Sequence, residues 1–281
     1  MSDFTKVPSA ATLKLRPFKA ETSGQSLNDL QTLIKLSPIG PQTWENTTAG
    51  REEYGLQRDW LIKAKDHWLN SFSWRSVETR INSFPNYTTT LTDDIKNVEI
   101  NVHFIALFSE KPDAVPLALY HGWPGSILEF LPILDLLKEK YTPQTLPYHV
   151  VVPSLPGYTY SSGPGNTDYD ISAASNCLHK LMLGLGFGGS GYLSQGGDLG
   201  SFVSRIQAAS YDACKGYHLN MVAAAPPENA QELEIDEVEA RALPRGKAFH
   251  ETGSAYGMEH GTRTGTIGLA LSASPLALLA W

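Results

Sequence analysis

The sequence predicts an α/β protein in which helices flank a mainly parallel sheet. Short apolar or β-branched runs alternate with helical stretches between residues 98 and 222, as expected for successive βαβ units. A glycine-rich turn also stands where one of these runs meets the following helix. At 281 residues the chain is long enough to bury a substantial core.

The region before the sheet, residues 1–97, predicts a helical N-terminal arm. Apolar residues recur at helical spacing over residues 27–36 and again over residues 56–72. Charges and prolines interrupt the first twenty residues, which gives them neither the pattern of a signal peptide nor that of a membrane anchor. We therefore expect a soluble, cytoplasmic protein.

Residues 98–225 predict the α/β core. The expected strands are residues 98–108, 115–120, 148–152, 191–195 and 216–222, and the expected helices are residues 127–138, 172–185 and a segment beginning at Leu199. The run at residues 148–152 is apolar at nearly every position, which is typical of a strand buried on both faces.

The alternation stops after Ala225, and residues 226–281 predict the beginning of a helical cap. Two prolines open this region, and an acidic stretch follows at residues 228–239. Such a charge run is typical of a solvated helix face, so we give it no function.

Composition excludes several classes of function. The formal net charge of −7 disfavours a nucleic-acid partner, because such proteins concentrate basic residues on one face. Cys177 and Cys214 are the only cysteines, and their spacing fits no metal site, so we expect two buried free thiols. No metal and no cofactor are expected.

Asp198 stands in a pattern typical of a nucleophile elbow. The sequence Gln195-Gly196-Gly197-Asp198-Leu199-Gly200-Ser201 joins a predicted strand to a predicted helix. Glycines at 196 and 200 suit a turn so tight that side chains there would collide. The alternative is that Asp198 merely caps the helix, a role that stabilises by about 1 kcal/mol.

A second motif supports the elbow. The predicted strand at residues 115–120 runs into His121-Gly122-Trp123-Pro124-Gly125 ahead of a helix. In the α/β-hydrolase fold this loop faces the elbow, and backbone N–H groups of the two segments form an oxyanion hole. Trp123 and Leu199 are the predicted donors, whereas His121 is expected to be structural.

These residues resemble the epoxide hydrolases of microsomal and fungal type. The resemblance rests on the loop at residues 121–125, on Pro153-Ser154-Leu155-Pro156-Gly157-Tyr158 and on the elbow. The N-terminal segments Leu15-Arg16-Pro17-Phe18, Trp44-Glu45-Asn46, Phe72-Ser73-Trp74-Arg75 and Asn82-Ser83-Phe84-Pro85 are similar to landmarks of that family's N-terminal meander. The resemblance implies an α/β-hydrolase fold that opens an epoxide to a vicinal diol.

The resemblance also implies the roles of two side chains. Asp198 would attack an epoxide carbon to give an alkyl-enzyme ester, because a carboxylate is ionised at neutral pH without the help of a base. Tyr256, in Thr252-Gly253-Ser254-Ala255-Tyr256, resembles one of the family's two cap tyrosines and would protonate the leaving alkoxide. Thr264-Gly265 departs from the family's pattern at this place.

Hydrolysis of the ester requires a base, which the family supplies as a histidine oriented by an acidic residue. By resemblance both follow strands that we do not find in this sequence, so we expect this chain to be inactive or poorly folded. Glu228 could in principle orient a histidine, although a carboxylate in an acidic loop is more often solvated. A shortened gene model, a splice form and a fragment all stay open as explanations.

Other functions remain as alternatives. A haloalkane dehalogenase would share the aspartate nucleophile but commonly carries Trp where this chain has Leu199, and a serine esterase would need its serine at the elbow centre. The chain could also be a non-catalytic binding protein on this scaffold. The expected partners are water and a small lipophilic epoxide, with detoxification as one setting and a homodimer as one open assembly state.

Overall fold

The computed structural model describes residues 3–50, 54–222 and 225–281, and the chain forms two compact units. The first unit comprises residues 1–20 and 75–224, and the second comprises residues 21–74 and 225–281. The expected core, residues 98–225, therefore falls almost entirely in the first unit, while the expected cap falls in the second. Ala223 and Ala224, at the end of that core, lie outside the described residues.

The first unit is built on a sheet in which seven strands are described. They are β1 (Arg16–Pro17), β2 (Asn86–Asp93), β3 (Val98–Leu107), β4 (Val115–Tyr120), β5 (Tyr148–Pro153), β6 (Tyr192–Gly196) and β7 (Cys214–Leu219). Their order is β1-β2-β3-β5-β4-β6-β7. Pairing is parallel from β5 through β4 and β6 to β7, and antiparallel among β1, β2, β3 and β5.

Helices of the first unit connect the parallel strands. They are α4 (Leu131–Lys140), α5 (Ile171–Met182) and α6 (Leu199–Ser210), while α3 (Trp74–Ile81) begins at the boundary between the units. Val150, Val151 and Val152 of β5 are fully buried, as the apolar run predicted. Strand, helix and sheet order agree with the α/β-hydrolase fold, with the turn between β6 and α6 at the carboxyl end of a strand that is paired on both sides.

The N-terminal arm differs from the expectation because it contributes strands β1 and β2 to the sheet. Residues 86–93, which fall inside the region predicted as a helical arm, form strand β2 and pair along their whole length with β3. Tyr87, Thr89 and Leu91 are buried while Thr90 and Thr92 are exposed, which is the period-two pattern of a strand. The reason is that Pro85 ends the helical part, and the threonine-rich run after it favours extended backbone.

The second unit is helical in the part that the structure describes. Its helices are α1 (Gly24–Leu36), α2 (Arg58–Asn70), α7 (Glu237–Ala248), α8 (Ala255–Thr262), α9 (Thr264–Ser272) and α10 (Pro275–Ala280). Asp236 and Glu239 form a capping box at the start of α7, and the acidic stretch around them is exposed, as predicted. Among the described residues, every helix is too short or too polar to cross a bilayer.

Both cysteines are buried in the first unit and are free thiols, as predicted. Cys177 is inaccessible to solvent, and burial raises the pKa of its thiol to about 12. A thiol in that state is a core residue and a poor nucleophile.

Candidate active site

Asp198 occupies a sharp turn between β6 and α6. Its backbone has φ 47° and ψ −121°, in a region that residues with a Cβ rarely adopt. A Cβ on Gly196 would lie 1.9 Å from the carbonyl oxygen of Gly200, and a Cβ on Gly200 would lie 2.2 Å from that of Tyr120. The two glycines are therefore a steric requirement of the turn, as expected for a nucleophile elbow.

The loop after β4 reaches the elbow directly. The backbone N–H of Trp123 donates a hydrogen bond to Oδ1 of Asp198 at 2.7 Å. A Cβ on Gly122 would lie 2.4 Å from that same oxygen and 2.7 Å from the backbone nitrogen of Leu199. The structure thus brings together Asp198 and the two predicted donors, Trp123 and Leu199.

This geometry disfavours the alternative in which Asp198 serves only as a helix cap. The side chain of Asp198 makes no capping hydrogen bond to the first turn of α6. Its carboxylate turns instead toward the loop that carries Trp123. A strained backbone conformation that directs a half-buried carboxylate at a backbone donor is more typical of a functional site.

His121 is buried and connects two loops. Its Nε2 accepts a hydrogen bond from the backbone N–H of Leu155 at 3.0 Å, and its Nδ1 lies 3.1 Å from the carbonyl oxygen of Gly122. This pattern fits a neutral imidazole with the proton on Nδ1. Burial lowers the pKa of His121, which favours that neutral form. These contacts support a structural role for His121.

Two ionisable groups respond to the charge of Asp198. The pKa of Tyr158 is raised, chiefly by burial and also by the negative charge of Asp198. The pKa of Glu129 is likewise raised by burial of its carboxyl group and by Asp198, while a hydrogen bond from the backbone N–H of Gly122 opposes the rise. Both side chains therefore belong to the surroundings of Asp198.

Glu129 is a residue that sequence reasoning missed. The sequence Ser126-Ile127-Leu128-Glu129 has the pattern of a capping box, in which the glutamate would bond back to the N-cap residue. Ser126 does cap the short helix at Ile127–Phe130, since its side chain accepts from the N–H of Leu128. The carboxylate of Glu129, however, lies against Gly125, since a Cβ on Gly125 would lie 2.3 Å from its Oε1.

Tyr256 and Glu228 lie in the second unit, so their relation to Asp198 stays a prediction. Tyr256 is on α8 with 37% of its surface exposed, and its ring lies edge-on to His260 at 5.8 Å between ring centres. Glu228 is exposed in the segment before α7, as expected of a solvated carboxylate.

A serine–histidine–asparagine arrangement elsewhere in the first unit is structural. Nδ1 of His103 lies 2.9 Å from Oγ of Ser154, and its Nε2 lies 2.9 Å from Oδ1 of Asn86. His103 and Ser154 are inaccessible to solvent, and burial lowers the pKa of His103 to about 3. A substrate could not reach this serine, so the three groups satisfy one another inside the core.

The second unit contains a cavity of about 590 Å³. Its lining is mostly apolar and includes Leu27, Leu30, Trp60, Trp68 and Phe72. None of the predicted site residues lines it. We therefore place the candidate chemistry at Asp198, where strain, hydrogen bonding and charge coincide.

Two family profiles of known proteins match the chain. A family profile described as the epoxide hydrolase N terminus matches residues 15–130, and one described as the alpha/beta hydrolase fold matches residues 115–246. A solved Aspergillus niger epoxide hydrolase superposes with a TM-score of 0.91 at 46% identity, over 99% of this chain and 71% of that one.

Two further relatives are similar over nearly the whole chain. A provisionally named epoxide hydrolase of Dothistroma septosporum is 53% identical over 283 residues, which cover 100% of this chain and 67% of that protein. Epoxide hydrolase 1 of Sus scrofa is 31% identical over 95% of this chain and 61% of that protein. The chain therefore spans 61–71% of the length of these relatives. With this coverage and identity, the chain belongs to the epoxide hydrolase family of fungal type.

Proposed function

We propose that Asp198 opens a lipophilic epoxide by forming a covalent alkyl ester. The observation that carries the proposal is the hydrogen bond from the Trp123 N–H to Oδ1 of Asp198, made at a backbone conformation that directs the carboxylate out of the elbow. Attack through Oδ2 would leave that bond intact. The new O–C bond forms as the epoxide C–O bond breaks, and the ring oxygen leaves as an alkoxide.

The alkoxide must gain a proton, and Tyr256 is the proposed donor. A neutral phenol can donate without prior ionisation, which suits ring opening at neutral pH. The proton passes from the Tyr256 hydroxyl to the alkoxide and gives the β-hydroxyalkyl ester of Asp198. Because Tyr256 belongs to the second unit, a Tyr256→Phe variant tests this step separately from the nucleophile.

Water then adds to the carbonyl carbon of Asp198, and the bond from that carbon to the alkyl oxygen breaks. The Asp198 carboxylate is restored, the diol oxygen takes one proton, and the other proton of the water returns to the Tyr256 phenolate. The carbonyl oxygen becomes an oxyanion in this step, and the N–H groups of Trp123 and Leu199 are the proposed donors that stabilise it. Removing one such donor typically slows a reaction by about 10²–10³-fold. The attacking water must lose a proton to a base, and from the sequence we expect no base in this chain.

The test is intact-mass analysis of the 281-residue chain after incubation with styrene oxide. We expect one adduct per chain and little diol, because the ester forms but lacks a base for its hydrolysis. Asp198→Ala should form no adduct. Asp212→Ala, which removes an exposed carboxylate from the same unit, should behave as wild type.

The alternatives give different results. Diol production without a lasting adduct would contradict the expected inactivity. The aspartate mechanism would then stand only if Asp198→Ala abolished diol production. Folded protein that forms neither adduct nor diol would refute the proposal and favour a binding protein on a hydrolase scaffold. Peptide mapping of the adduct should place the added mass on Asp198.

A further inference from the structure

The ring of Tyr256 contacts the imidazole of His260 on the same helix. The two residues stand four apart in α8, a spacing that brings side chains together on one face of a helix. Their rings meet edge-on, with 5.8 Å between ring centres and 79° between ring planes. Such contacts have a preferred geometry, so the position of the imidazole influences the position of the phenol.

His260 is held in turn by the side chain of Trp281. The indole Nε1–H donates a hydrogen bond to Nε2 of His260 at 2.7 Å, and the centres of the two rings lie 5.9 Å apart. An indole nitrogen can only donate, so Nε2 is the unprotonated nitrogen of the imidazole. The bond therefore restrains the rotation of the His260 ring and selects its neutral tautomer, with the proton on Nδ1.

Trp281 is anchored to the helix that precedes it. Its backbone N–H donates to the carbonyl oxygen of Ala277 at 3.0 Å, in the last turn of α10. At the start of that helix the side chain of Ser274 accepts from the N–H of Ala277, and its Oγ lies 2.9 Å from Oγ of Ser37. All of these residues belong to the second unit, so contacts within one unit connect the end of α1 to Tyr256.

The helix itself restrains Tyr256 weakly. Helix α8 is eight residues long, and the side chain of its N-cap residue, Ser254, makes no capping hydrogen bond. Tyr256 stands in the first turn with 37% of its surface exposed, where a tyrosine side chain has more than one accessible rotamer. Contact with a fixed imidazole selects among those rotamers.

We propose that His260 is a positioning residue: fixed by the indole of Trp281, it holds the Tyr256 ring in the orientation from which the phenol protonates the alkoxide. The proposal rests on the proposed function, because this orientation affects the rate only if Tyr256 is the proton donor. A misplacement of about 1 Å at a reacting group can slow a reaction by about 10²-fold. Neither His260 nor Trp281 needs to touch the substrate.

The first measurement is the rate of adduct formation with styrene oxide over a range of concentrations. We expect His260→Ala to lower the limiting rate by about tenfold or more, with the half-saturating concentration changed less than about threefold, because proton donation rather than ground-state binding is impaired. His260→Gln, whose amide oxygen can accept from the Trp281 indole, should restore most of the rate. Trp281→Phe, which keeps a ring but has no N–H, should also be slow.

A double-mutant cycle with Tyr256→Phe separates positioning from a general effect on the fold. If His260 acts through the phenol, His260→Ala should change the rate by less than about twofold once the phenol is absent. Loss of the same factor in the wild-type and Tyr256→Phe backgrounds would overturn the proposal, as would a rate for His260→Ala within about twofold of wild type. Met258→Ala, at a position of α8 that is 66% exposed, is the matched control and should behave as wild type.

NMR relaxation of the Tyr256 ring in isotope-labelled protein supplies a readout that does not need chemistry. The signal is assigned by its absence from Tyr256→Phe. We expect the order parameter of the ring to fall by about 0.2 or more in His260→Ala and Trp281→Phe, and to stay near wild type in His260→Gln. An unchanged order parameter in His260→Ala would refute the positioning role. If wild type forms no adduct, the proposed function fails by itself, and the NMR result decides whether His260 orders Tyr256.

Discussion

At the scale of single residues, the backbone conformation that directs the carboxylate of Asp198 lowers the stability of the fold. Its φ of 47° lies where only glycine is unstrained, and such a conformation costs about 1–3 kcal/mol. The sequence showed this site through its flanking glycines, whose steric effect is local and can be inferred without a structure. It did not show that the carboxylate of Glu129 lies against Gly125, because that placement is set by the path of the loop after β4.

We predict that Asp198→Gly unfolds at a higher temperature than Asp198→Ala, because glycine relieves the strain that alanine retains. A difference of about 1 kcal/mol corresponds to roughly 2–4 °C for a domain of this size. Thermal unfolding followed by circular dichroism measures it. At the exposed Asp212, where φ is not positive, the order should reverse and the glycine variant should be the less stable.

Equal melting temperatures for Asp198→Gly and Asp198→Ala would show that the elbow is not strained. Both variants should fail to form an adduct, since both lack the carboxylate. Stability and reactivity should therefore change in opposite directions at this residue, as expected where a strained conformation serves a function.

At the scale of elements, the strand–turn–helix joining β6 and α6 depends on the close approach of backbone atoms. Gly196→Ala would place a Cβ 1.9 Å from the carbonyl oxygen of Gly200, which is fixed backbone and cannot rotate away. We predict a loss of about 3 kcal/mol in the free energy of unfolding, the upper end for overpacking, measured by urea denaturation.

The control for this substitution is Gly189→Ala. Gly189 is exposed, has no positive φ, and a Cβ there would meet nothing within 4 Å. Its replacement should be neutral or should stabilise by up to about 1 kcal/mol. If Gly196→Ala were as stable as Gly189→Ala, the packing described for the elbow would be wrong.

Other elements show why sequence patterns succeed in some segments and fail in others. Strand β5 was predictable because a buried parallel strand is apolar throughout. Strand β2 was not, because Thr88, Thr90 and Thr92 alternate with more buried residues in a polar segment that follows a helical arm. Strands β2 and β3 are consecutive in the chain and form a hairpin. The sequence features that could have predicted this hairpin were the threonine-rich run and the turn at residues 94–97.

At the scale of the whole molecule, buried histidines couple stability to pH. Burial lowers the pKa of His103 to about 3, and it also lowers the pKa values of His121, His149 and His179. Each of these histidines is more readily protonated in the unfolded chain, where the pKa is about 6.5. Their contribution to stability is therefore complete above pH 6.5 and is lost as the pH falls below it.

We predict that the free energy of unfolding falls between pH 7 and pH 5, with a slope of up to about 1.4 kcal/mol per pH unit for each histidine that stays neutral in the fold. Urea denaturation at half-unit pH steps measures the slope. His103→Gln should be less stable at pH 7, because the bonds to Ser154 and Asn86 are disturbed. The slope of its unfolding free energy against pH, below pH 6.5, should nevertheless be smaller by the amount that corresponds to nearly one proton. An unchanged slope in His103→Gln would mean that acid acts on the fold through other groups.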